Sequence, residues 1–261
     1  LISVITFVVS PLLLRPSAAN TEAVPLNPFD GPTIFIRQIP LTTNDLVYSA
    51  STGKLYASVP SSAGNAGNSI AAIDPTNGVV NSSTFIGSEP NKLALSDDGN
   101  SLYASLDGAF AIRRFDVLTN TPGLQFSVGQ DSFFGRYNIS DLVVAPANPD
   151  TVADARLYGG VRPPEAGVAV FDNGVQRPNT GPGHLSGSDF LTFSASASKL
   201  YGSSFSAGIQ VLNLDASGVT PGPDITPNVF GTIKFSNGLV FTSGGHVVNP
   251  ETGSLLGTFA S

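Results

Sequence analysis

The chain contains no cysteine, no methionine and no tryptophan. The first absence removes disulfides, thiol nucleophiles and thiolate metal sites together. The second extends to an initiating methionine, as expected of a processed chain or an excerpt of a longer one. Histidine is nearly absent: His184 and His246 stand 62 positions apart, without the i, i+4 spacing that sets two imidazoles on one metal, and read as a loop residue and a strand-edge residue. Charged residues make up only 12% of the 261 positions, and the formal net charge is −7. Basic residues cluster no further than Arg113-Arg114, so neither nucleic acid nor an anionic lipid surface is an expected partner. No G-x-S-x-G pentad marks a nucleophile elbow, which leaves a serine hydrolase only with some other order of Ser, His and Asp.

What the chain does have is 28 glycines, 20 prolines and 41% apolar residues, the composition of a large, turn-rich all-β domain. One stretch sets the pattern. Lys92-Leu93-Ala94-Leu95 alternates as a half-buried strand, and Ser96-Asp97-Asp98-Gly99-Asn100 supplies five turn formers. Strands follow at Ser101-Leu102-Tyr103-Ala104-Ser105, at residues 111–117 beyond the Asp107-Gly108 reversal, and at residues 124–128. Asp97-Asp98-Gly99-Asn100 lacks the spaced acids and distal Glu of a calcium loop and reads as turn chemistry.

The same grammar recurs about five times. Upstream, Asp45-Leu46-Val47-Tyr48 leads to Lys54-Leu55-Tyr56-Ala57-Ser58, and Tyr56 and Tyr103 are 47 positions apart. Downstream copies run from Asp141-Leu142-Val143-Val144, with a blurred middle strand near Thr151-Val152-Ala153, from Asp189-Phe190-Leu191-Thr192-Phe193, and, compressed, from Thr232-Ile233-Lys234-Phe235. Third strands end in Asp74-Pro75-Thr76-Asn77-Gly78 or Asn249-Pro250-Glu251-Thr252-Gly253. There the Asp or Asn side chain can bond an amide two residues on, and Gly takes the positive φ. Four short strands per unit of about 40 to 50 residues predict an all-β fold, a β-propeller of four-stranded antiparallel blades.

Residues 89–104, EPNKLALSDDGNSLYA, resemble the blade pattern P-x-x-L-A-L-S-x-D-G-x-x-L-Y-V of bacterial YVTN-type and surface-layer propellers. The resemblance spans roughly residues 41 to 261 and implies the fold; the group has no shared catalytic residues to transfer. Such propellers commonly have seven blades. The five recognisable here would close on themselves if a strand from residues 33–40 strapped the last blade, which removes exposed edges; otherwise they form part of a seven-bladed ring.

Residues 1–32 stand apart as an apolar extension and linker, ahead of a propeller over residues 33–261. Leu1 to Val9 and Leu12-Leu13-Leu14 have the apolarity of a secretion-signal core, with Ser17-Ala18-Ala19 as a cleavage site, but are too short and too interrupted by Pro11 for a transmembrane segment. The favoured reading is a strand pair, residues 3–10 with 21–29, similar to the last hairpin of an immunoglobulin-like module. A hairpin of this kind needs the propeller or another subunit to pack on. Asn81-Ser82-Ser83 and Asn138-Ile139-Ser140 are glycosylation sequons.

One column invites a site. Just before the first strand of each unit stand Asp45, Lys92, Asp141, Asp189 and Thr232, with Asn44, Asn91 and Ser188 beside them. In a propeller the first strand lines the channel, so Asp45, Asp141, Asp189, Asn44 and Asn91 would gather at one mouth and hold a cation, Ca2+ for instance, or a ligand amine. The competing reading has the aspartates bonding backbone amides between blades. The expected function is a non-enzymatic, exported scaffold at the cell surface or in the periplasm, binding a protein or glycan partner and requiring no cofactor. The alternatives are a subunit of an extracellular assembly joined through residues 1–31, and a lyase or hydrolase working in the channel.

Overall fold

A computed structural model of the chain describes residues 4–7, 35–183, 188–204, 208–225 and 229–259, so His184 lies outside the described residues. The architecture is all-β. Strand β1 (Val4–Phe7) pairs antiparallel with β2 (Phe35–Gln38). Sheet 1 runs β3 (Asp45–Ser49), β4 (Lys54–Val59), β5 (Ser69–Ile73) and β6 (Val80–Phe85), each antiparallel to the last. Sheet 2 repeats the meander with β7 (Pro90–Leu95), β8 (Ser101–Leu106), β9 (Ala111–Asp116) and β10 (Thr121–Ser127). Sheet 3 has short outer strands β11 (Gln130–Asp131) and β15 (Val175–Gln176) around β12 (Gly135–Ala145), β13 (Asn148–Tyr158) and β14 (Glu165–Asp172). Sheet 4 comprises β16 (Phe190–Phe193), β17 (Lys199–Ser203), β18 (Ile209–Asp215) and β19 (Gly218–Ile225). Sheet 5 comprises β20 (Ile233–Ser236), β21 (Leu239–Thr242), β22 (His246–Asn249) and β23 (Ser254–Thr258).

The turns form by the expected local chemistry. Asp74 Oδ1 accepts the Thr76 amide at 2.8 Å and Gly78 sits at φ +74°; Asn249 Oδ1 accepts the Glu251 amide at 2.9 Å and Gly253 sits at φ +70°. Alternation then gives each sheet two apolar faces. Tyr56 and Ile70 of sheet 1 share a core with Leu102 and Phe115 of sheet 2, and Tyr103 and Ile112 of sheet 2 share one with Leu142 and Phe171 of sheet 3. Val168 and Val170 meet Leu191 and Leu200, and Tyr201 and Val211 meet Ile233 and Val240. Sheets 1 to 5 are therefore packed face to face in chain order.

The repeated tyrosine has a further role. Buried to 1–2% exposure at the same place in its sheet, each ring sends its hydroxyl to the following sheet: Tyr56 to the Val117 carbonyl at 3.4 Å, Tyr103 to the Pro149 carbonyl at 2.8 Å, Tyr201 to Glu251 Oε1 at 3.3 Å. Tyr103→Phe keeps the ring and orphans one carbonyl, so a loss of about 1 kcal/mol in urea unfolding is expected. A neutral result would mean that the ring alone does the packing.

One expectation for the amino-terminal segment, the closing strap, needs correction. Val4–Phe7 pairs with Phe35–Gln38, in the register Val4↔Gln38 to Phe7↔Phe35; residues 21–29, expected to pair with residues 3–10, lie outside the described residues. The same pairing takes up the segment expected to strap the last sheet. Sheet 5 instead draws its fourth strand, Ser254–Thr258, from its own repeat, a local connection that costs less loop entropy than a strand more than 200 residues away in sequence. The outward face of sheet 1 is covered by Ile39 and Leu41 together with Ala63 and Ala66. On sheet 5, Phe241 and Val247 point away from sheet 4 by alternation, and Leu256 and Phe259 stay 57% and 48% exposed.

Candidate functional site

Strands β3, β7, β12, β16 and β20, one from each sheet, border one cavity of about 790 Å3. Residues 46–48, 93–95, 142–144, 192–195 and 234–237 line it, joined by Asp97 and Pro146. Its wall mixes aliphatic side chains with charge from Asp97 and Lys234 and hydroxyls from Tyr48, Thr192, Ser194 and Ser236. Asp45, Asp141, Asp189, Asn44 and Asn91 are not among the lining residues.

Instead, Asp45 and Asp141 span the seams between sheets. Asp45 accepts the Leu46 amide through Oδ1 and the Leu93 amide of sheet 2 through Oδ2, both at 2.8 Å. Asp141 does the same one seam removed, taking the Leu142 amide at 2.9 Å and the Leu191 amide of sheet 4 at 2.7 Å. Between sheets 4 and 5 the amide of Phe235 is held by Thr192 Oγ1 at 3.0 Å. Asn44 Nδ2 donates across the first seam to the Pro90 carbonyl at 2.9 Å, while Asn91 Nδ2 turns to Asp107 Oδ2 at 2.7 Å.

Asp189 does not belong to this column. Asp45 lies opposite Ser58 on its partner strand, and in sheet 4 the residue opposite the matching Ser203 is Phe190. Asp189 is thus displaced by one residue, and a one-residue slip turns a side chain to the other face of a strand. Its counterparts are Asn44 and Asn91, and burial together with the nearby charge of Glu165 holds its carboxyl above the usual range. The Asp141 carboxyl keeps part of its surface open but is otherwise ringed by protein; desolvation pushes its pKa to about 6 against the pull of the Leu191 and Leu142 amides and the Lys92 charge. Among the described residues no three His, Asp or Glu side chains converge as a metal site, and no helix is long and apolar enough to cross a membrane.

Sheet 3 holds what the sequence pattern hid. Strands β12 and β13 reach eleven residues each, longer than their counterparts, and end in an aromatic row. Phe133, 86% exposed, meets Phe134 edge-on at 4.9 Å between centroids; Phe134 meets Tyr158 at 4.8 Å, and Tyr158 meets Tyr137 at 5.8 Å. The turn presenting the two phenylalanines is pinned by Asp131, whose Oδ1 accepts the Phe133 and Phe134 amides at 2.7 and 2.9 Å; those bonds keep the Asp131 carboxyl below its usual range. Beneath the row, the Arg156 guanidinium lies 5.0 Å from the Tyr137 centroid and 5.4 Å from that of Phe171, pairs with Asp154 at 3.3 Å and donates to Gln176 Oε1 at 2.7 Å. A contiguous Phe133-Phe134 pair beside a turn-forming Asp was the one signal in the sequence that pointed to an exposed aromatic patch.

Solved proteins share this architecture. A functionally unknown protein from Desulfotomaculum acetoxidans DSM 771 superposes with a TM-score of 0.61 at 15% identity, over 86% of this chain and 71% of its own. Hydrazine synthase of Kuenenia stuttgartiensis does so with a TM-score of 0.51 at 16% identity, over 78% of this chain and 54% of its own. The chain therefore spans only about half of the hydrazine synthase chain, and identities this low speak to the fold alone. No family model matches the chain, and no curated protein is similar to it.

Proposed function

We propose that the five sheets are blades of a β-propeller of the YVTN or surface-layer type, and that the chain is an exported, non-enzymatic binding module. The blade reading is supported by the cavity that one strand of each sheet borders and by the seams that the Asp45, Asp141 and Thr192 side chains bridge. Export accords with the cysteine-free composition and with the resemblance of residues 89–104. The observation that carries the binding function is the row Phe133, Phe134, Tyr158 and Tyr137. Aromatic side chains dominate the energetics of recognition surfaces, and a row running from half-buried Tyr137 and Tyr158 to exposed Phe133 and Phe134 offers a partner flat apolar faces. Those faces suit the C–H surface of a sugar ring or the side chains of a protein loop.

The test is binding of the immobilised protein to a panel of soluble polysaccharides and to a displayed peptide library. At least one class should bind, and a Phe133→Ala/Phe134→Ala variant should lose tenfold or more in affinity, about 1.4 kcal/mol or above. Phe85→Ala, which removes an equally solvent-facing ring at 63% exposure, should keep full affinity. Equal affinities in all three proteins, or no binding to either panel, would overturn the reading.

A further inference from the structure

Between sheets 3 and 4, three side-chain oxygens are buried without a hydrogen-bond partner among the described residues: Glu165 Oε2, Ser188 Oγ and Asp189 Oδ1. Glu165 and Ser188 keep only 7% and 5% of their surface. Buried polar atoms are nearly always paired, and an unpaired buried carboxylate oxygen is among the costliest exceptions.

The backbone turns Glu165 toward the seam with sheet 4. Strand β14 pairs Gly167 with Arg156 and then Glu165 with Leu157, so Ala166 is an extra residue, a bulge. The shift carries Glu165 onto the face that Ala153 and Ala155 present to sheet 4. From the other side, Ser188 and Asp189 lead into β16, and the Ser188 hydroxyl lies over Gly202 of β17; a Cβ there would stand 2.5 Å from it. Alanine at 202 would push Ser188 aside. The charge of Glu165 reaches Asp189, and among the described residues neither carboxylate is joined to a Lys or Arg.

We propose that Glu165, Ser188 and Asp189 form a binding site for a hard divalent cation of the Ca2+ class. The donor set is oxygen only, which favours Ca2+ over softer metals. A divalent ion satisfies both carboxylates at once, where two negative charges in a buried space otherwise oppose each other. Calcium accepts an irregular shell of six to eight oxygens, so water and backbone carbonyls complete it. With two carboxylates, the affinity belongs to the weak class, Kd about 10−4 to 10−3 M.

The experiment is urea unfolding of the full chain with and without 10 mM CaCl2 at constant ionic strength, paired with calorimetric titration of the folded protein with CaCl2. Calcium should raise the folding equilibrium constant roughly ten- to a hundredfold. Glu165→Gln and Asp189→Asn should bring that factor to within twofold of one, while Asp224→Asn, at an exposed carboxylate, leaves it intact. An unchanged calcium effect in both site variants, or no calorimetric binding at 10 mM, would overturn the assignment. Stabilisation by methylammonium and not by Ca2+ would also overturn it, in favour of an amine site. Should Glu165→Gln fail to fold, the partly exposed Asp189 and the Ser188→Ala variant still decide the question by titration.

Discussion

Replacing Arg156 with alanine should lower the unfolding free energy by about 3–5 kcal/mol, the cost of leaving a buried carboxylate without its partner. Asp154 is fully buried and Arg156 is 4% exposed. Burial drives the Asp154 carboxyl upward and the guanidinium beside it offsets part of that rise. The arginine also stacks against Tyr137 and Phe171 and holds Gln176, so its loss opens sheet 3 beneath the aromatic row. Substituting both partners, as Asp154→Val with Arg156→Met, should recover most of the loss, because apolar side chains in place of a buried ion pair carry no desolvation penalty. Equilibrium urea unfolding checks both; a single Arg156→Ala variant within about 1 kcal/mol of wild type would mean that Asp154 simply protonates or finds water.

Replacing Asp141 with alanine should cost about 2 kcal/mol at pH 8, since the Leu142 and Leu191 amides lose their acceptor at a seam between sheets. The cost should depend on pH in a defined direction. The carboxyl titrates near 6 in the folded protein, against an unfolded value of 3.8. A raised folded pKa means that the native state binds the proton more tightly, so the associated stability is fully present below 3.8 and is lost as pH rises through 6. Wild type therefore gains stability from pH 8 to pH 5, and Asp141→Ala does not share that gain. The gap between them should widen by roughly 1 kcal/mol over that interval. Other carboxylates, Asp154 included, titrate in both proteins and cancel in the difference. A gap that stays constant or narrows toward pH 5 would show that Asp141 is ionised throughout.

These two residues also show where sequence reading stops. Asp141 was visible as the head of an apolar strand, and its two available roles, channel ligand or inter-sheet bridge, were both open; the Leu191 amide 50 positions away is what it meets. Asp189 was drawn into the same column because Asp-Phe-Leu resembles Asp-Leu-Val, but the pairing of Phe190 with Ser203 sets it one place off. Asp154 and Arg156 blurred the middle strand of the third repeat by breaking its apolar alternation. They could not be seen as a pair until the strand was extended, with both side chains on the face turned toward sheet 2.

The sequence by itself determined the repeat, most strand limits and the turn chemistry. Alternation with a period of two, Asx turns and glycines at positive φ depend on neighbours a few residues apart, and Tyr56, Tyr103 and Tyr201 mark the same place in three sheets. Only the tertiary structure decided which carboxylates bridge seams and which lie unpaired beside Glu165, that β1 takes β2 as its partner, and that the phenylalanines of one hairpin stand clear of the core. Those outcomes depend on contacts between residues tens of positions apart, where a single bulge or a one-residue difference in loop length exchanges the two faces of a strand.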